Sequence, residues 1–244
     1  MKTTLAAVAA SIFATLALAA PASGVRGGIE ISKRSGDGNV LIVGVPTERS
    51  TAADDAPEIG AVYLYRRVDG TWREERRFAP APGALPAHYG SQAEISDDGN
   101  TILIGRETAG GTAEIYTHVD GTWQLTATIP GPGDQTGCNH IRLSGDGRVV
   151  ARTCARPPYY QALQMFRGPT FALDVEDNLF RGDDIRFAEL EIDHSGDTVA
   201  WSQVGTGPGV PVVATWQRRA NGDFSRVSRT VPANYRVIAE MPAR

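Results

Sequence analysis

Lysine is nearly missing from this 244-residue chain: Lys2 and Lys33 are the only two, and the rest of its 24 basic residues are arginine. Against 28 acidic residues this leaves a net charge of −4, spread along the sequence rather than blocked. No basic stripe exists for a phosphate backbone or an anionic lipid surface, so nucleic acid is excluded as a partner. Beyond residue 20 there is no apolar run long enough to cross a bilayer, so no membrane span is expected in the mature chain. Helical periodicity is missing as well, which leaves strands and turns. The spacings that carry chemistry are also scarce. His88, His118, His140 and His194 never stand in His-x-His or His-Glu-x-x-His order, so no metal is expected. There is no Gly-x-Ser-x-Gly elbow and no Gly-x-x-x-x-Gly-Lys loop, and no cofactor is expected.

What is present starts at the first residue. Met1-Lys2-Thr3-Thr4 precedes an apolar run from Leu5 to Ala20, followed by small residues through Ser23. This is the pattern of a secretory signal peptide over residues 1–22, with small-x-small cleavage sites at Ala17-Leu18-Ala19 and Ala20-Pro21-Ala22. The mature part, 23–244, is therefore expected to be exported, to the periplasm or outside the cell, where cysteines oxidise. Cys138 and Cys154 lie symmetrically about Asp146, in a turn between two short apolar runs. A hairpin centred there sets them opposite each other, and a disulfide is expected.

Repetition organises the rest. Ser35-Gly36-Asp37-Gly38, Ser96-Asp97-Asp98-Gly99 and Ser144-Gly145-Asp146-Gly147 each precede an apolar strand, and Ser195-Gly196-Asp197 reads as a degenerate fourth copy. Val-Asp-Gly-Thr-Trp occurs at Val68–Trp72 and at Val119–Trp123, with Asn221-Gly222-Asp223-Phe224 in the corresponding place of the last unit. Within a unit, strand follows strand through Asp-Gly turns. The second strand of each unit is apolar on successive residues, so both of its faces must be covered. The fourth, as in Trp72 followed by Arg73-Glu74-Glu75-Arg76-Arg77, is a charged outer edge. Small sheets buried inside and charged outside stack around an axis. The expected fold is all-β, a β-propeller-like array of about four four-stranded antiparallel blades, near 27–79, 88–130, 137–176 and 185–232. A leftover strand, Tyr235–Ala239, is expected beside Gly28–Ser32 or another element of the first unit.

The run Tyr89-Gly90-Ser91-Gln92-Ala93-Glu94-Ile95-Ser96-Asp97-Asp98-Gly99, with Gly44-Val45-Pro46, Gly60–Tyr65 and Gly70-Thr71-Trp72 in the unit before it, resembles the bacterial FG-GAP repeat, related to the propeller of integrin α chains. The Ser-x-Asp-Gly strand start is similar to blades of the TolB and WD40 types. The resemblance implies a propeller. Integrin blades often carry a calcium loop between their first two strands, but that connection is a bare turn here, with too few oxygens for the cation. The nearest acidic loop, Asp174-Val175-Glu176-Asp177-Asn178, has Leu179 where glycine is needed.

Functional expectations follow from connectivity. The short Asp-Gly turns share one face of the array; the connections between second and third strands and between units share the other. Loops on a rigid scaffold are where binding residues concentrate. The candidates there are Asp54, Asp55, His88, Arg106, Arg156, Tyr159 and Tyr160. Asp97-Asp98 is assigned to its turn, the other acidic pairs to solvated loops, and Trp72 and Trp123 to packing between blades. The reading is an exported, non-catalytic binding or scaffold propeller for a protein or glycan ligand. Two alternatives stand beside it. One is a propeller-fold hydrolase or lyase acting on polysaccharide, which would need convergent carboxylates or a histidine in the channel mouth. The other is a half-propeller that self-associates if the ring is open.

Overall fold

The serine-aspartate turns close on themselves before they meet anything else. In the computed structural model, Ser35 Oγ donates to Asp37 Oδ1 at 2.6 Å and accepts from Val40 N at 3.0 Å. Ser96 Oγ makes the same pair of bonds with Asp98 and Thr101, at 2.6 and 2.9 Å, and Ser144 Oγ with Asp146 and Val149, also at 2.6 and 2.9 Å. Each hydroxyl thus satisfies an amide that the reversal leaves without a ladder partner. Gly38, Gly99 and Gly147 sit at φ of 72°, 69° and 73°, the left-handed region that a side chain disfavours. The structure describes residues 29, 31–50, 56–80, 88–106, 111–131, 138–156, 160–181, 185–205 and 212–230. The expected signal peptide and the tail strand Tyr235–Ala239 lie outside them.

The fourth turn has a different register from the one its sequence suggests. Gly196 N donates to Asp193 O at 3.2 Å, as Gly38 N does to Ser35 O, and Asp193 N bonds Thr198 O at 3.0 Å, as Ser35 N does Val40 O. The turn is therefore Asp193-His194-Ser195-Gly196. Serine and aspartate have exchanged places: Asp193 Oδ1 accepts from Thr198 N at 3.0 Å where the other three use a serine hydroxyl.

From these turns run four meanders, each of four consecutive antiparallel strands. The first is β1 (Ile31–Arg34), β2 (Val40–Val45), β3 (Ala61–Val68) and β4 (Thr71–Phe78); the second is β5 (Tyr89–Ile95), β6 (Thr101–Arg106), β7 (Ala113–Val119) and β8 (Thr122–Ile129). The third is β9 (Cys138–Leu143), β10 (Val149–Arg156), β11 (Tyr160–Arg167) and β12 (Ala172–Arg181), and the fourth is β13 (Ile185–Ile192), β14 (Thr198–Gly205), β15 (Val212–Arg218) and β16 (Phe224–Thr230). Every residue of β2 is buried, whereas most of β4 is exposed, as a covered inner strand and a charged edge require. Cys138 and Cys154 face each other across β9 and β10 with their Cα atoms 3.9 Å apart, and they are bonded.

The core lies between blades. Ile42, Leu64 and Phe78 of the first pack on Ile102, Ile104 and Trp123 of the second; Leu103, Ile115 and Ile129 pack on Ile141, Val150 and Phe166; Ala151, Leu163 and Met165 pack on Leu190, Trp201 and Trp216. Each such side chain contributes about 1.5–3 kcal/mol by leaving water. Indole N–H groups fasten two of these seams: Trp123 Nε1 donates to Glu75 Oε1 of the preceding blade, and Trp216 Nε1 to Asp177 Oδ2, both at 2.8 Å. The turns are strung together as well. Gly36 N donates to Asp97 O, Asp97 N to Gly145 O, and Asp146 N to His194 O, each at 2.8 Å. The result is a propeller-like array of four blades, and its described residues contain no helix. Among the described residues no apolar cluster joins the fourth blade to the first.

Candidate active site

Each blade turns its first strand toward the axis, and the residue two positions before each turn is charged: Lys33 on β1, Glu94 on β5, Arg142 on β9 and Glu191 on β13. These four, with Asp97, Asp193, His194 and the backbone of Gly145, line a cavity of about 300 Å³ that opens on the face of the short turns. Positive and negative charges alternate around it, one per blade.

Glu94 is the most enclosed of them. Its side chain is 12% exposed, with Lys33 Nζ at 3.5 Å and Arg142 at 3.2 Å from Oε1. Burial pushes its carboxyl above the usual range, the two cations pull it back, and Glu191 across the axis adds to the rise; the balance is upward. Glu191 itself is exposed and carries no ion pair among the described residues. Two positions deeper on β9, His140 is held below its ordinary pKa, by burial first and by Arg142 second.

At the rim, His194 Nδ1 lies 2.6 Å from Asp97 Oδ2. The two are 97 residues apart, on the fourth and second blades, and meet across the turn of the third. A carboxylate only accepts, so Nδ1 carries a proton, and Nε2 is the nitrogen that the ring can offer as a base. The sequence reading that gave both residues of Asp97-Asp98 to their turn needs correction. Asp98 alone is committed to it: burial raises its pKa, but bonds from Ser96 Oγ and from Asn100 outweigh this and lower it on balance. Asp97 turns outward to His194. A base oriented by a carboxylate beside a pocket of charged groups is the arrangement that activates water.

The residues that the sequence singled out for binding lie elsewhere. Arg106 is tied to Glu114 at 2.7 Å and lies over the Tyr89 ring at 5.1 Å, inside the seam between the first two blades. His88 is half-buried ahead of β5 in a left-handed conformation, at φ 46°. Arg156 ends β10 and Tyr160 begins β11, while Asp54, Asp55 and Tyr159 fall outside the described residues. Neither Arg106 nor His88 lines the cavity. The signal that finds the site is the repeat itself. Once the fourth turn is aligned as Asp193-His194-Ser195-Gly196, His194 falls level with Gly36, Asp97 and Gly145, and the four axial charges fall level with one another. Among the described residues no group of three or more His, Cys, Asp or Glu side chains is placed to hold a metal ion.

No protein-family model matches the chain, and no curated protein matches it. Solved structures do. A candidate 6-phosphogluconolactonase from Bacteroides fragilis superposes with a TM-score of 0.56 at 14% identity, over 84% of this chain and 56% of the other. A second, from Bacteroides uniformis, gives a TM-score of 0.55 at 14% identity over the same shares. The periplasmic gluconolactonase PpgL of Pseudomonas aeruginosa covers 88% of this chain at 16% identity and a TM-score of 0.47. The chain spans about half the length of the first two. Identities this low establish the fold, a β-propeller, and not the FG-GAP repeat in particular.

The expectation of a module without catalysis of its own is overturned here. Neighbours of this fold carry lactonase names. The lining of the axial mouth also includes the carboxylates of Glu94 and Glu191 and a histidine at position 194, either of which the hydrolase alternative asked for. Spacing along the chain bore on the histidines only as metal ligands, and it says nothing about residues that meet from different blades.

Proposed function

We propose that this chain is an exported hydrolase that opens an uncharged, sugar-derived lactone in the axial cavity. The observation that carries the reading is His194, held through Nδ1 by Asp97 at the mouth of a pocket in which Glu94 sits between Lys33 and Arg142. His194 Nε2 takes a proton from water as the water oxygen bonds to the lactone carbonyl carbon. Arg142 and Lys33 supply positive charge where the carbonyl oxygen becomes an oxyanion. The ring C–O bond then breaks, and its alkoxide takes a proton from the imidazolium or from the Glu94 carboxyl. One water is consumed and a hydroxy acid leaves.

Size and charge narrow the substrate. A cavity of about 300 Å³ is at the small end of ligand sites and suits one sugar ring rather than a polymer. Its wall carries the carboxylates of Glu94, Asp97, Glu191 and Asp193 against the cations Lys33 and Arg142, which favours an uncharged ring over a phosphorylated one. Export is supported by the signal-type sequence of residues 1–22 and by the Cys138–Cys154 bond.

The test is hydrolysis of glucono-1,5-lactone by the purified protein, followed by acid release above the spontaneous rate. Replacing His194→Ala is expected to lower kcat by about 10²–10⁴-fold, the span that general-base catalysis supplies. Equal rates for the two proteins would defeat the proposal.

A further inference from the structure

We infer that Gly145 is a positioning residue: the side chain it lacks is the gap in which Asp97 and His194 meet. The inference rests on the reading of His194 as the base. The third blade's turn lies between the turns of the second and fourth and is bonded to both, Asp97 N to Gly145 O and Asp146 N to His194 O, each at 2.8 Å. Backbone contacts therefore bring the two side chains to either side of Gly145. A Cβ built on Gly145 would stand 3.0 Å from Asp97 Cγ and closer still to Asp97 Oδ2 and His194 Nδ1, the two atoms that share the proton.

Conformation does not call for glycine there. Gly145 is absent from the residues at positive φ, whereas Gly147 two positions on has φ 73°. Nor does packing of the blades call for it. The contrast is Gly36, at the equivalent position of the first blade, whose added Cβ would press on Asp97 Cβ at 2.9 Å and on Asp97 Cα at 3.2 Å. Those atoms cannot move without the turn, so Gly36 serves the seam. At Gly145 the obstructed atoms are the ends of two exposed side chains, 53% and 68% accessible, which are free to swing apart. A methyl group at 145 is then accommodated by breaking the Asp97–His194 bond, while the fold stays. Without the carboxylate, nothing holds the proton on Nδ1, and Nε2 loses its standing as the free base.

Three variants of the full mature chain test this: Gly145→Ala, Asp97→Asn and both together, with Gly36→Ala as the packing control. The readouts are the melting temperature, the His194 tautomer from ring ¹⁵N shifts, and lactone turnover. The expected result is a melting temperature within a few degrees of the parent for Gly145→Ala and a larger fall for Gly36→Ala. The His194 ring should lose its Nδ1–H form in Gly145→Ala and in Asp97→Asn alike. Turnover should show kcat reduced tenfold or more at little-changed KM, with the double variant no slower than Asp97→Asn alone, as expected of two changes that remove one interaction. An unchanged tautomer in Gly145→Ala, or a melting temperature lowered as far as by Gly36→Ala, would overturn the inference. If the tautomer responds as expected while the parent shows no turnover, the positioning role stands and the lactonase reading falls.

Discussion

Glu94 illustrates how this site trades stability for chemistry. Its carboxyl is raised above the usual value of 4.5 because burial outweighs the help of Lys33 and Arg142. A carboxyl raised by folding favours the native state while it is protonated. Its stabilising contribution is complete below the unfolded value and is lost as pH rises through the folded one. The charged form is thus the one the fold tolerates least. Glu94→Gln keeps the shape and removes that charge, so at pH 7 the variant is expected to melt no lower than the parent, with the difference narrowing below about pH 4, near the ordinary carboxyl range. Hydrolysis should fall even so, because the group poised to return a proton is gone. Thermal melts from pH 4 to 8 check the first claim, and a melting temperature several degrees lower at pH 7 would show that the two ion pairs outweigh the burial cost.

At the scale of elements, most of the fold was readable because its causes are local. The outer strand through Trp72 is legible in its Asp-Gly turn and its run of charge, and the disulfide in the symmetry of Cys138 and Cys154 about a turn. The fourth turn was misread because position, not identity, defines the device. An acid at 193 and a serine at 195 perform the two roles in exchanged order, and a search for Ser-x-Asp-Gly slides two residues late. Glu75 was taken as one of several edge charges, yet it is the acceptor for Trp123 Nε1 at 2.8 Å and a partner of Arg66. Burial raises its pKa, and these bonds outweigh burial and lower it. Trp123→Phe, which keeps the ring and removes the donor, should therefore cost about 1–2 kcal/mol at pH 7. A carboxyl lowered by folding stabilises above its unfolded value and loses this as pH falls, so the cost should shrink toward pH 3. Denaturant unfolding at the two pH values measures it; an equal cost at both would place the effect in ring packing rather than in the hydrogen bond.

The site itself belongs to the whole molecule, which is why the sequence concealed it. Lys33, Glu94, Arg142 and Glu191 are separated by roughly fifty residues each and become neighbours only when four blades share an axis. The same assembly sets the field inside the cavity. Both cations face Glu94, so the positive charge they lend a developing oxyanion is too little to hold a phosphate dianion as well, while Glu191 and Asp193 line the cavity with no cation beside them among the described residues. A ligand phosphate would meet several carboxylates within a Debye length of about 10 Å at 0.1 M salt. The expected consequence is a kcat/KM at least tenfold higher for glucono-1,5-lactone than for its 6-phosphorylated counterpart. The ratio should narrow as salt rises to 1 M, where screening acts over about 3 Å, and narrow also in Glu191→Gln, which removes one of the exposed charges. Initial rates on the two lactones at low and high salt decide it. A phosphorylated substrate preferred at low salt would mean that Lys33 or Arg142 leaves Glu94 to bind it, and that the cavity selects for the charge it is here expected to repel.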